Sequence, residues 1–225
     1  MRLSIVVPVL NEAEGVEGHL AALAPLRARG AEVIVVDGGS EDATLALAAP
    51  LADLLLEARR GRAAQMNAGA RAAQGDAILF LHADTLLPAS ADRLVARALE
   101  RAHWGRFDVR IDARHPLLAL VARMMNLRSR ISGIATGDQA MFMRRAAFEA
   151  AEGFPQIALM EDVALSTRLK RIGRPACLSE RVVTSGRRWE GRGVLRTIVL
   201  MWRLRFAYWR GADPVEIERR YRQPT

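Results

Sequence analysis

Apolar runs of strand length alternate with stretches of helical period through the first half of the chain. Leu3 to Val9 is almost continuously apolar, the pattern of a strand buried on both faces. Glu12 to Arg29 predicts a helix, with Gly30 just past its end. Glu32 to Val36 predicts a second buried strand running into Asp37-Gly38-Gly39-Ser40. Ser40 is a good N-cap, with Glu41 and Asp42 in the first turn of a following helix. Leu51 to Leu56, Arg62 to Ala73 and Ala77 to Leu81 then read as strand, helix and strand. This alternation predicts an α/β fold with a doubly wound, right-handed, mostly parallel sheet flanked by helices. Ligands of such sheets bind beyond the carboxyl ends of the strands, where Asn11, Asp37 and Asp84 all fall.

The second half is less regular. Phe107 to Ile111 and Gln139 to Met143 are strand candidates, and Pro116 to Arg130 is an amphipathic helix. Asp162 to Ile172 predicts a helix stopped by Gly173, and Ala176 to Val183 a final strand. No Pro/Gly/Ser-rich linker divides the two halves. Gly193 to Arg210 is apolar but carries Arg196, Arg203 and Arg210 at seven-residue spacing, together with Trp202, Tyr208 and Trp209. Such a helix lies on an anionic membrane surface, or packs against the domain or a second copy. Packing is the preferred reading, because stripes of this kind also occur in ordinary core-packing helices.

Composition narrows the class. The 225 residues are 51% hydrophobic, a globular balance, and the net charge of +8 favours phosphates, nucleoside diphosphates, anionic lipid or nucleic acid. Nucleic acid is disfavoured, since no recognised binding motif is present. A single cysteine, Cys177, excludes an internal disulfide and a cysteine-zinc cluster, and fits a reducing cytoplasm. Met1-Arg2 runs straight into a predicted strand rather than a signal peptide. No stretch reaches the roughly 18 uncharged apolar residues that a bilayer span needs. The expectation is a soluble or peripheral cytoplasmic protein, in the latter case at the inner face of the membrane.

Two acidic signatures carry the chemistry. His82-Ala83-Asp84 closes an apolar strand and reads either as an ordinary polar strand end or as a site for a hard cation, which takes carboxylate oxygens and leaves positions for substrate phosphates. Glu161-Asp162 is either the acidic first turn of a helix or a general base for an acceptor hydroxyl. Asp37-Gly38-Gly39-Ser40 is a tight turn or a nucleotide contact, without the Gly-x-Gly-x-x-Gly spacing of dinucleotide sites. Gly137-Asp138-Gln139 is a turn or an acceptor contact, and Arg187-Arg188-Trp189 a surface basic patch or a diphosphate clamp. Gly61 to Gly69, with Arg62, Gln65 and Asn67, is a helix start that also suits a nucleotide.

Taken in order, Val6-Val7-Pro8-Val9-Leu10-Asn11-Glu12, Asp37-Gly38-Gly39-Ser40, Gly61-Arg62 with Asn67-Ala68-Gly69, His82-Ala83-Asp84, Gly137-Asp138-Gln139, Gly153-Phe154-Pro155 and Glu161-Asp162 resemble the inverting GT-A glycosyltransferases of the family 2 type. The nearest likeness is to a bacterial subgroup of short members without a transmembrane tail. The resemblance implies a GT-A domain over residues 1–190, with a nucleotide-binding part (1–104) and an acceptor-binding part (105–190), and a C-terminal helical extension over 191–225. It implies that Pro8, Asn11, Glu12, Asp37, Arg62, Asn67, His82, Ala83 and Arg188 contact the nucleotide-diphosphate sugar. Asp84 would ligate Mg²⁺ or Mn²⁺, Asp162 would be the base supported by Glu161, and Asp138, Gln139 and Trp189 would meet the acceptor, a hydroxyl or phosphate compound for which a lipid-linked form stays open. Two departures stand out. His82 replaces the first acid of Asp-x-Asp, and Ser185-Gly-Arg-Arg188-Trp189 lacks the glutamine of Gln-x-x-Arg-Trp, so one-sugar transfer is expected rather than polymer synthesis. Rival readings are a sugar nucleotidyltransferase, which would carry a glycine-rich basic loop near the first strand, and a non-catalytic partner protein binding a sugar nucleotide or lipid.

Overall fold

The run Leu3–Val9 forms strand β1, and all of it except Pro8 is buried. Its alternate residues feed two apolar layers. Ile5 and Val7 pack with Leu20, Leu23, Leu26, Val95 and Leu99 on one face of the sheet, whereas Val6 joins Ile34, Val36, Met66, Leu165 and Leu169 on the other. Each such side chain contributes about 1.5–3 kcal/mol by leaving water. A sheet covered on both sides follows from strands with no polar face.

This computed structural model describes residues 1–187, 189 and 193–222. Within them the strands are β1, β2 (Glu32–Asp37), β3 (Leu54–Glu57), β4 (Ala77–Phe80), β5 (Thr85–Leu86), β6 (Trp104–Asp112), β7 (Phe142–Arg144) and β8 (Ala176–Ser185). They form one sheet in the order β3-β2-β1-β4-β7-β6-β8-β5. Strands β3, β2, β1 and β4 run parallel, as do β6 and β8, while β7 and the short β5 run against their neighbours. The helices are α1 (Val16–Ala21), α2 (Ala24–Arg27), α3 (Thr44–Ala48), α4 (Arg62–Ala72), α5 (Ala91–Leu99), α6 (Leu117–Ser132), α7 (Arg145–Ala150), α8 (Glu161–Ile172), α9 (Val194–Trp209) and α10 (Pro214–Arg222). No helix among the described residues is long and apolar enough to cross a membrane.

Helix α4 lies unusually close to the sheet. A Cβ added to Gly69 would come within 2.4 Å of Val6, so only glycine permits this approach. At the far end of the strands, buried Ser4 donates to Glu32 (2.5 Å) and accepts from the Gly75 amide (2.8 Å), which satisfies a polar pair inside the core. Helix α6 is fastened to β6 by Asn126, whose amide donates to Val109 O (3.0 Å) and accepts from Val109 N (2.9 Å), in the manner of a neighbouring strand. Helices α9 and α10 close over the start of α8 through a small cluster of Met160, Leu204 and Ile217.

Several expected elements differ. The helix expected over 12–29 is two short ones. Residues 12–15 instead form a turn on the Glu12 carbonyl, Gly15 and Gly18 weaken the first segment, and Pro25 starts a new first turn. Ser40 does not cap a helix, because its hydroxyl is drawn back to Asp37 and α3 begins four residues later at Thr44. The strand expected from Gln139 is displaced to Phe142–Arg144, since Gly137–Gln139 winds into a 3₁₀ turn closed by Gln139 N donating to Thr136 O (2.9 Å).

Candidate active site

The carboxyl ends of β1 and β2 are stitched together. Asn11, held at φ 52°, accepts from Glu41 N (2.9 Å), and its own N–H donates to Ser40 Oγ (2.9 Å). Asp37 accepts from Gly39 N and Ser40 N (2.8 Å each) and from the Ser40 hydroxyl (2.5 Å). Only 1% exposed, Asp37 shapes the glycine loop from beneath. Gln65 on α4 then donates to both Val9 O (2.8 Å) and Val36 O (2.9 Å), and so locks the two strand ends. The amide of Glu12 donates to Thr44 Oγ1 (2.8 Å). Pro8 and the side chain of Glu12 are half-buried beside this rigid double loop, with Asn11 exposed.

Beyond β4 the chain places His82 and Asp84 half-buried, with Ala83 buried between them. His82 Nδ1 meets Asp138 Oδ1 at 3.2 Å, joining the end of β4 to the 3₁₀ turn. Asp84 accepts from the Thr85 hydroxyl (3.3 Å) and forms no ion pair among the described residues. Among those residues there is no group of three His, Cys, Asp or Glu fit to enclose a metal. A hard cation that shares its sphere with a diphosphate needs only one or two carboxylates, so a half-buried, uncommitted Asp84 suits that arrangement and a self-sufficient protein cage does not form.

The second acidic signature sits at the start of α8. Met160 holds φ 71° and turns the chain so that Glu161 and Asp162 enter the first turn of the helix. Asp162 accepts from Gly137 N (2.8 Å) through one oxygen and from Val163 N (2.7 Å) through the other. Its pKa is raised, because burial outweighs those two donors. Glu161 is 5% exposed. Burial and the neighbouring Asp162 charge push its pKa up to about 7, against the pull of Arg62. Arg62 opens α4 and faces the same space. Its surroundings disfavour charge, but Glu161, Asp138 and Asp162 outweigh this and raise its pKa.

A cavity of about 970 Å³ joins these groups, lined by Arg62, His82, Asp138, Glu161, Asp162 and Trp189 together with one face each of α6 and α9. Asp84 is outside its lining.

Two of the expected contact residues are engaged within the protein itself. Gln139 is fully buried and donates to Asn126 Oδ1 (3.3 Å) and Ser129 Oγ (3.2 Å), so it anchors α6 and cannot touch an acceptor. Asn67 spends its amide on both backbone groups of Phe154 (2.8 and 3.0 Å), which pins the Gly153-Phe154 loop. Arg188 lies outside the described residues. The sequence reading missed Arg128 on the cavity wall, whose only signal is a lone arginine on the apolar side of an amphipathic helix.

Residues 4–149 match the family model described as Glycosyl transferase family 2. No curated protein matches the chain. Among solved structures it is similar to S. aureus TarS in complex with UDP-GlcNAc (19% identity, 82% of this chain and 58% of that one, TM-score 0.68). It is also similar to the mannosyltransferase PcManGT from Pyrobaculum calidifontis in complex with GDP-Man and Mn²⁺ (22% identity, 92% and 61%, TM-score 0.67). A third likeness is to glucosyl-3-phosphoglycerate synthase from Mycobacterium tuberculosis in complex with Mn²⁺, UDP and glucosyl-3-phosphoglycerate (18% identity, 81% and 70%, TM-score 0.60). The chain thus spans 58% of the TarS 1–349 fragment, 37% of TarS and 61% of PcManGT. At these identities the likeness establishes the fold, which is GT-A: a mostly parallel curled sheet flanked by helices.

Proposed function

The chain belongs to glycosyl transferase family 2, and on that premise we propose that it moves one sugar from a nucleoside-diphosphate sugar to an acceptor hydroxyl, with inversion and the help of a divalent cation. The observation that carries this reading is Asp162. Its carboxylate is aimed by two backbone amides, raised in pKa, and set in a cavity beside Glu161, Arg62 and the His82–Asp138 pair. The solved structures of the same fold hold UDP-GlcNAc, GDP-Man with Mn²⁺, or UDP with Mn²⁺, which supports a nucleotide-sugar donor.

In the reaction the acceptor oxygen attacks the anomeric carbon as the bond from that carbon to the β-phosphate oxygen breaks. The electron pair leaves on the diphosphate, and the hydroxyl proton passes to Asp162. Asp84 would hold Mg²⁺ or Mn²⁺ against the diphosphate, where the cation neutralises the charge of the leaving group. Pro8, Asn11, Glu12 and Asp37 form the rigid shelf on which the nucleoside rests. Arg62 keeps positive charge beside the two carboxylates. His82, held by Asp138, presents its other ring nitrogen toward Gly137 at the end of β4.

Thermal shift with UDP- and GDP-sugars, with and without Mn²⁺, tests the reading. A donor supplied at about a hundred times its Kd stabilises the fold by about 2.7 kcal/mol, a rise in Tm of about 5–10 °C at this chain length. Asp84→Asn is expected to erase the Mn²⁺-dependent part of that rise and to spare the rest. Absence of any response to the donors sinks the proposal.

Gly137→Ala probes the His82 arm. An added Cβ would lie 2.4 Å from His82 Nε2, so the imidazole must swing away from Asp138. Transfer is expected to fall about ten- to hundredfold with Tm little changed, because a displacement of about 1 Å at a positioned group costs that much. Unaltered kcat/KM would show that His82 has no part in the site.

A further inference from the structure

The cavity is more apolar than a sugar nucleotide requires. Leu120 and Met124 of α6 face Leu195, Trp202 and Phe206 of α9 across it. These side chains also continue outward, with exposures of 52, 46, 65, 63 and 60% in the same order. The same apolar side chains therefore line the cavity that holds the carboxylates and reach the protein surface. A contiguous apolar surface of this kind marks a binding site, and a free sugar or nucleotide gives it nothing to cover.

Three arginines interrupt the apolar walls, Arg128 on α6 and Arg203 and Arg205 on α9, and Arg128 differs from the other two in having buried donors left unpaired. The guanidinium of Arg128 has Nε and Nη2 buried, and neither makes a hydrogen bond among the described residues. Buried, unsatisfied donors on a charged group are costly unless a ligand completes them. Burial lowers the pKa of Arg128, while Asp162 and Asp138 act the other way, so the same groups that surround the base also feel this cation. An anion placed beside Arg128 would satisfy both nitrogens at the inner end of the apolar channel.

We infer that the acceptor is an anionic amphiphile, with its hydroxyl at Asp162, a phosphate-like group on Arg128 and an apolar chain lying between α6 and α9. This rests on the transfer reading above. It assigns the acceptor's chemical class, and it gives a role to Leu195, Trp202 and Phe206, which α9 leaves exposed while Val194, Thr197 and Leu204 are buried.

Octyl phosphate, octyl glucoside and inorganic phosphate, all below micelle-forming concentrations, can be titrated into the full chain and followed by tryptophan fluorescence. Octyl phosphate is expected to bind at least about tenfold more tightly than the other two, the value of a charged hydrogen-bonded contact. Arg128→Gln should reduce it to the affinity of octyl glucoside. Met124→Glu, at a position 46% exposed and so without a folding burden, should weaken it as well by placing a negative charge at the channel mouth. Equal affinities for octyl phosphate and octyl glucoside, or an unchanged Arg128→Gln, overturn the inference. So does a dimer that shields Trp202 and abolishes the response. Donor titration of the same samples keeps the two proposals apart, since intact donor binding without octyl phosphate selectivity removes only the acceptor class. Flotation with phosphatidylglycerol vesicles identifies a bilayer-borne acceptor, and its absence a freely diffusing one of the same chemistry.

Discussion

Asp162→Asn is expected to cut sugar transfer about 10²–10⁴-fold, the range assignable to a positioned general base, while donor affinity stays within about threefold. The carboxylate accepts from Gly137 N and from Val163 N, one bond to each oxygen. An amide can accept only one of them and turns its NH₂ toward the other donor, so a stability loss of about 1 kcal/mol accompanies the change. That loss is too small to explain a rate effect of the expected size, and single-turnover kinetics at saturating donor separate the two. The pH profile gives a second check. A base whose pKa is raised by burial is protonated, and idle, nearer to neutrality than an ordinary aspartate, so the acid limb of kcat/KM should be displaced upward from the ordinary aspartate range. A variant with near wild-type turnover removes Asp162 as the base.

The residues that set this geometry differ in how openly the sequence displays them. Strands β1, β2 and β4 are legible because a strand buried on both faces has to be apolar throughout, and their order places Asn11, Asp37 and Asp84 at carboxyl ends without further information. Glu161-Asp162 at a helix start is legible for the same local reason. What pairing does over long range is hidden. Gln65 and Asn67 follow one another closely on α4, yet one ties two strand ends together and the other secures a loop 87 residues away. Gln139, next to Asp138, is turned inward to Asn126 because the 3₁₀ turn rotates adjacent side chains to opposite sides. Helix α5 went unrecognised behind Pro88 and Ser90, although Ala91, Val95 and Leu99 recur at four-residue spacing and are all buried. Arg128 is the extreme case, since its significance comes from lacking a partner, and a sequence does not display absences of that kind.

Glu161→Gln is expected to make the protein more stable at pH 8, by about 3 kcal/mol, and no more stable near pH 4.5. The sign follows from proton binding. In the folded protein Glu161 titrates at about 7 rather than the ordinary 4.5. Between those values the folded state holds a proton that the unfolded chain has released. Wild-type stability therefore falls as pH rises from about 4.5 to about 7 and is level above that. Glutamine, which stands for the protonated side chain, removes the fall. For a chain of this size the gain at pH 8 corresponds to about 6–12 °C in Tm. A fold that keeps a carboxylate at this cost gains from its charge elsewhere, and Arg62 is the cation whose charge acts on it. Equal Tm values for wild type and Glu161→Gln at pH 8 would mean that Glu161 is ionised without penalty, and the proposed coupling to Asp162 would fall with it.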